Sequence, residues 1–128
     1  MNNSALDEIF TQEFLDDLLP PEKSDRFFEA LYGDASEGAY DIKLKYLYAE
    51  SNRIELSFNL INRPGKCLVC SLTYGLPVVL SRHPVIDIKG MIRKIEQKTG
   101  VLIVHWRLGD TSENNASLHV IPWHLDLG

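Results

Sequence analysis

Two cysteines, Cys67 and Cys70, have the C-x-x-C spacing that occurs in metal-binding and redox sites. In those sites the motif lies on a turn or at the start of a helix, where both sulfur atoms converge. Here it falls inside an alternating apolar segment that predicts a β-strand, and residues three apart on a strand point to opposite faces. The chain has no second cysteine pair to complete a four-ligand site. The sequence therefore favours two separate structural thiols over a metal or redox centre.

The histidines are the other residues that could bind a metal or transfer a proton, and they are His83, His105, His119 and His124. His105 and His119 are predicted to face each other across a C-terminal hairpin, where facing Cβ atoms lie about 5 Å apart. A zinc site requires three or four converging ligands, and no third ligand is evident. We therefore predict no metal and no cofactor, and interpret these two histidines as surface or interface residues.

A loop that contains Arg82 and His83 offers a second candidate site. Pro84 favours an extended backbone at His83, and loops carry a large share of functional residues. With Tyr46 and Tyr74, these two side chains could line the rim of a pocket between the helices and the sheet. This alternative hypothesis makes the protein a small-molecule-binding domain or an enzyme of unassigned class. Solvent-exposed loop residues are the simpler interpretation.

Short catalytic motifs are absent from the sequence, which has no G-x-S-x-G, P-loop, G-x-G-x-x-G or H-E-x-x-H pattern. Acidic residues occur in pairs only near the N-terminus, on helix faces that should be solvated. We therefore predict no catalytic residue and favour a protein that is not an enzyme.

The clearest element that would position these residues is a strand at residues 53–60. Apolar and polar residues alternate there with the period of a half-buried strand. A turn at Pro64-Gly65 leads to a second alternating segment, residues 68–74. With an odd number of loop residues Leu60 faces Leu68, and every pair on that face is apolar. The preceding strand, residues 41–48, adds three pairs on the same face: Tyr48 with Ile54, Tyr46 with Leu56, and Leu44 with Phe58. This pattern predicts a three-stranded meander with one apolar and one polar face.

Three helices are predicted from apolar residues at helical spacing, at about residues 4–18, 22–32 and 87–98. Two further strands, residues 101–108 and 117–125, form a C-terminal hairpin, in which Trp106 is predicted to face Leu118 on the inner side. Pro122 places the second of these strands at an edge or near a bulge.

The resulting order, α-α-β-β-β-α-β-β, predicts an α+β fold with a five-stranded, mostly antiparallel sheet, made of the meander plus the C-terminal hairpin. We expect a single domain over residues 1–128, with an acidic helical segment at 1–33 and the sheet at 40–128. The order of elements is similar to that of small acidic type III secretion chaperones. Those proteins usually end in a helix, whereas this chain ends at a strand.

The distribution of charge is more informative than the net charge of −5. Residues 1–41 contain eleven acidic and two basic residues, whereas residues 42–128 contain seven acidic and eleven basic ones. This acidic first third argues against nucleic-acid binding and favours an internal electrostatic match plus a solvated face. No apolar run approaches the roughly 20 residues of a membrane span, and no signal-peptide pattern is present. We therefore expect a cytoplasmic protein with no membrane or nucleic-acid partner.

The C-terminal hairpin is apolar on both predicted faces. Its outer face carries five residues, which are Ile103, His105, His119, Ile121 and Trp123. A strand that is apolar on both sides needs cover on both sides, supplied either by a helix or by a partner chain. These five residues are the candidate interface of a small non-catalytic interaction, adaptor or chaperone-like module. The expected partner is a second copy, giving a homodimer, or another protein.

Overall fold

The computed structural model describes residues 3–34, 38–66 and 75–128 of the chain. The helices and strands follow one another as α1 (Asn3–Ile9), α2 (Gln12–Leu18), α3 (Glu22–Tyr32), β1 (Tyr40–Glu50), β2 (Arg53–Asn62), α4 (Leu76–Arg82), α5 (Ile88–Thr99), β3 (Ile103–Leu108), β4 (Ser112–Asn115) and β5 (Leu118–Leu127). No helix among these residues is long and apolar enough to span a membrane.

The five strands form one antiparallel sheet in the order β1-β2-β5-β3, and β4 pairs with β5. The α+β class and the five-stranded antiparallel sheet are thus confirmed. The neighbours of β2 differ from the prediction, because β2 pairs with β1 on one side and with β5 on the other. Residues 68–74, which were predicted to pair with β2, lie outside the described residues. Cys67, Cys70 and Tyr74 themselves lie outside the described residues.

The β1–β2 hairpin has the predicted register over most of its length. Leu44 pairs with Phe58 and Tyr46 pairs with Leu56. A bulge between Tyr46 and Tyr48 then shifts the register, so that Ala49 and not Tyr48 faces Ile54. Because a one-residue shift exchanges the two faces of a strand, Ala49 is buried and the Tyr48 side chain is exposed.

The predicted pairing within the C-terminal hairpin is wrong. Trp106 faces Leu125 instead of Leu118, and His105 faces Asp126 instead of His119. The additional strand β4 occupies the start of β5, so β3 pairs with the end of β5. The register differs from the prediction by seven residues, and an odd shift exchanges the two faces of β5.

Helix α5 matches the predicted third helix, and α3 matches the second. The predicted first helix is divided into α1 and α2, because Thr11 caps α2 by accepting a hydrogen bond from the Phe14 N–H. Helix α4 replaces a predicted loop. Its two β-branched residues, Val78 and Val79, weaken the helical signal, although Pro77 suits a first turn.

One face of the sheet, the core face, packs against the helices. On β2 and β5 it carries seven residues that are buried in one cluster with the helices: Ile54, Leu56, Phe58, Leu60, Ile121, Trp123 and Leu125. The opposite face, the polar face, contributes none of its side chains to this cluster among the residues described. It includes the predicted polar residues Lys43, Lys45, Glu55, Ser57 and Asn59. The two-sided sheet is therefore confirmed for β1 and β2.

Pro122 lies in a central strand rather than at an edge. Its carbonyl accepts a hydrogen bond from Gly109, in the break between β3 and β4. The N–H and C=O of one strand residue point to the same side, so the missing N–H of Pro122 faces this break and not β2.

Replacement of Gly109 by alanine is expected to destabilise the fold by about 1–3 kcal/mol, because the added Cβ overpacks a rigid ring. That Cβ would lie only 2.7 Å from Cγ of Pro122. The matched control is Gly75→Ala, where a Cβ meets nothing within 4 Å. Urea denaturation measures both variants. Equal midpoints for the two would contradict the close contact between Gly109 and Pro122.

Candidate functional site

The charged end of the polar face brings together side chains from three strands. Arg53 faces Asp126, Glu55 faces His124, and β3 adds Arg107 opposite His124 and His105 opposite Asp126. Directly opposed residues share a face, so these side chains form one group. We call it the charged cluster, and its members are Arg53, Glu55, His105, Arg107, His124 and Asp126.

A hydrogen-bonded pair of side chains, Glu55 and His124, lies at the centre of the charged cluster. The Nδ1 atom of His124 is 2.5 Å from Oε2 of Glu55, which is only 4% exposed. A carboxylate only accepts hydrogen bonds, so His124 donates through Nδ1 and its Nε2 remains on the far side of the ring. A second contact, of 3.5 Å, joins Arg53 to Glu55. The buried carboxylate is thus compensated by two donors.

The cluster becomes more exposed toward β3. Arg53 and His105 contact Asp126 at 3.7 Å and 3.3 Å, with all three side chains at least one-third exposed. Arg107 is exposed and has no ion-pair partner in the described part of the chain. Solvent-exposed ion pairs contribute little to stability, so this end can exchange its partners at low cost.

A His–Glu pair of this kind resembles the orienting half of a catalytic triad, but among the described residues no hydroxyl group is shown hydrogen-bonded to His124. The Nε2 atom of His124 lies 3.4 Å from the position of a Cβ on Gly109, so it faces the β3 side. Ser57 lies on the other side, on β2, and its hydroxyl donates to Asn59. The pair therefore orients Nε2 of His124 away from the Ser57 hydroxyl.

An apolar strip adjoins the charged cluster on the polar face. Ile61 faces Leu118 across β2 and β5, and Val120 and Pro122 follow on β5. Ile61 is 38% exposed, and the other three side chains are half-buried. None of the four belongs to the core cluster. The polar face thus combines apolar and charged regions on one surface.

The residues of the predicted interface are separated by the sheet. His119, Ile121 and Trp123 lie on the core face and are at most 1% exposed, so this chain's own helices cover that face. Ile103 is half-buried against the core, and only His105 lies on the polar face. The three buried residues are not accessible to a partner of the folded chain.

The described residues of the predicted pocket, Tyr46, Arg82 and His83, are also not grouped. The Tyr46 hydroxyl donates to Asp7 of α1, and its ring stacks on Phe10. Burial, and then this hydrogen bond, raise the pKa of Tyr46 above its ordinary value. Tyr46 therefore joins α1 to the sheet.

His83 packs its ring against Phe27 at 4.8 Å, and its Nδ1 accepts a hydrogen bond from the Val85 N–H. Arg82 and His83 line a shallow cleft of about 370 Å³ with residues of the α4–α5 connection, and Tyr46 does not contribute to it. His83 thus has a structural role at this corner of the fold.

The acidic helices are partly matched within the chain. Arg63 contacts Asp25 of α3 at 2.6 Å and Asp41 of β1 at 3.0 Å. Lys98 of the basic helix α5 lies 5.9 Å from the Phe14 ring centre on α2. At Lys23 of α3, burial and then the nearby Lys94 lower the pKa. The Arg63 contacts support an internal electrostatic match, whereas Lys23 and Lys94 are a like-charge pair.

No group of three potential metal ligands occurs in the described ranges. Comparison with protein-family models, with curated proteins and with solved structures finds no match. The charged cluster was missed at the sequence level, although Glu55 was placed on the polar face. The missing information was the β2–β5 pairing, which joins residues far apart in the chain.

Proposed function

We propose that this protein is a non-catalytic protein-interaction module that binds a second copy of itself through the polar face, as an adaptor or chaperone-like homodimer. The observation that carries this proposal is the apolar strip beside the charged cluster. Protein interfaces typically have an apolar centre and a polar rim enriched in arginine. Ile61, Leu118 and Val120 supply such a centre, and Arg53 and Arg107 lie on the rim.

The size of the polar face fits an interface. Strand β2 contains 10 residues. At about 3.3 Å per residue, and with four strands about 4.8 Å apart, the face has a flat footprint of about 600 Å². A standard interface buries about 800 Å² of accessible surface per partner, and side-chain relief makes the accessible area larger than the footprint. The surface is therefore large enough for a specific dimer.

The fixed arrangement of side chains in the charged cluster favours rapid and specific association of two copies. Glu55 is buried and His124 is half-buried in the single chain, and they are hydrogen-bonded to each other, so these side chains need not be immobilised on binding. The exposed Arg107 and His105 remain available for a partner's acidic groups. Charges at the rim mainly affect specificity and association rate, while the apolar strip provides affinity.

Ile61→Glu is expected to weaken dimerisation at least about tenfold, because it places a charge in the apolar centre of the interface. Sedimentation equilibrium measures the dissociation constant, and circular dichroism checks the fold. The matched control is Val79→Glu on α4, since Val79 is 37% exposed and Ile61 is 38% exposed. A wild-type chain that stays monomeric would overturn the proposal, as would equal weakening by the two substitutions.

A further inference from the structure

Strands β1 and β3, at opposite edges of the sheet, are each capped by a polar side chain from a helix, and β4 continues the β3 edge. An edge strand normally presents unpaired N–H and C=O groups, to which another chain can add a strand. Natural sheets block this addition with bulges, charges or covering elements. Both edges of this sheet carry a bulge as well as the helix-borne cap.

At the β1 edge the cap is Ser24 of α3. The Ile42 N–H donates to the Ser24 hydroxyl at 2.8 Å, and that hydroxyl in turn approaches the Ile42 carbonyl at 3.4 Å. Ser24 is 2% exposed. Both outward groups of Ile42 are therefore occupied by a buried side chain.

At the β3 edge the cap is Glu96 of α5. The Leu102 carbonyl accepts a hydrogen bond from Gly128, which follows β5. The N–H of the same trans peptide, which belongs to Ile103, points the opposite way and hence outward. It donates to Oε2 of Glu96 at 3.0 Å. The carboxylate therefore occupies the position that the carbonyl of an added strand would take.

The β3 edge is the more vulnerable of the two. Glu96 is only half-buried and accepts from one backbone group, whereas Ser24 is buried and occupies two. Leu102 and Val104, beside this edge, are 62% and 59% exposed. A partner strand would gain both backbone hydrogen bonds and apolar contacts there.

We infer that Glu96 is a gate on the β3 edge that keeps a second copy of this chain from adding a strand to the sheet. Ser24 has the same role at the β1 edge. This edge is separate from the proposed dimer surface on the polar face. Two copies joined through their β3 edges would form a closed pair, because the same edge is used by both copies and the β1 edge stays capped by Ser24.

The test is Glu96→Ala in the Ile61→Glu background, where the polar-face dimer is removed. Sedimentation velocity over a hundredfold concentration range should then show oligomers that the background variant lacks. Glu96→Gln, which keeps an acceptor oxygen, and Gln97→Ala, an exposed neighbour, should not form them. A folded Glu96→Ala variant without oligomers would overturn the inference, and so would oligomers of equal size in Gln97→Ala.

Amide hydrogen exchange provides a second readout that does not depend on the stability of Glu96→Ala. In the Ile61→Glu background the Ile103 amide should be protected, and Glu96→Gln should retain that protection in part. Rapid exchange at Ile103 while the neighbouring β3 amides stay protected would overturn the inference.

Discussion

Trp123→Ala is expected to lower the free energy of unfolding by about 3–5 kcal/mol, the range for removal of a large aromatic side chain from a core. Trp123 is 0% exposed, lies on a central strand, and packs on Phe58 with ring centres 5.2 Å apart. Because domains of this size are stable by only roughly 5–15 kcal/mol, such a loss removes a large share of the total. Urea denaturation followed by circular dichroism measures it.

Trp106→Ala is the matched control for Trp123→Ala. Trp106 lies on the edge strand β3 and is only half-buried, so we expect a smaller loss of about 1–2 kcal/mol. The hairpin predicted from sequence reverses this order, because it places Trp106 inside and Trp123 outside. A larger loss for Trp106→Ala than for Trp123→Ala would therefore contradict the observed β5 register.

Glu55→Ala is expected to cost about 1–3 kcal/mol, because it leaves the half-buried Nδ1–H of His124 without its hydrogen-bond acceptor. The side chains of Glu55 and His124 are 5% and 19% exposed, so water replaces little of the lost contact. Thermal or urea unfolding at neutral pH measures the loss.

Asp126→Ala serves as the control, since its side chain is 39% exposed and it contacts the exposed His105. We expect less than about 1 kcal/mol there. A double-mutant cycle with His124→Ala should give a coupling energy of about 1–3 kcal/mol for the buried pair. Additive effects of Glu55→Ala and His124→Ala would show that the two side chains do not interact.

The local parts of the fold could be predicted from sequence. In the β1–β2 hairpin a short connection brings two strands of alternating apolar and polar residues together. Only the register in which Leu44 faces Phe58 places the apolar residues of both strands on one face. Helix α5 has a clear apolar stripe and ends at Gly100, whose φ of 76° is left-handed. Both depend on interactions between residues close in the chain.

The faces of β5 could not be predicted in the same way. Leu118 and Val120 on one side are as apolar as Ile121 and Trp123 on the other, so the pattern allows both orientations. The short strand β4 decides between them by occupying the start of β5. Its sequence, Ser112–Asn115, is polar and exposed and resembles a loop.

The charged cluster depends on the same long-range pairing. Glu55 and His124 are 69 residues apart in the chain and meet only because β5 lies beside β2. Prediction of the meander gave β2 a different neighbour and therefore left Glu55 as an isolated polar residue. Local periodicity does not specify which strands pair when the partners of a central strand are far apart in the sequence.

Intermolecular NOEs between isotope-labelled and unlabelled copies of the wild-type chain test the proposed interface most directly. Such contacts should appear at the methyl groups of Ile61, Leu118 and Val120, which form the apolar strip on the polar face. Contacts confined to Leu102 and Val104 beside the β3 edge, or the absence of any intermolecular contact at millimolar concentration, would contradict binding through the polar face.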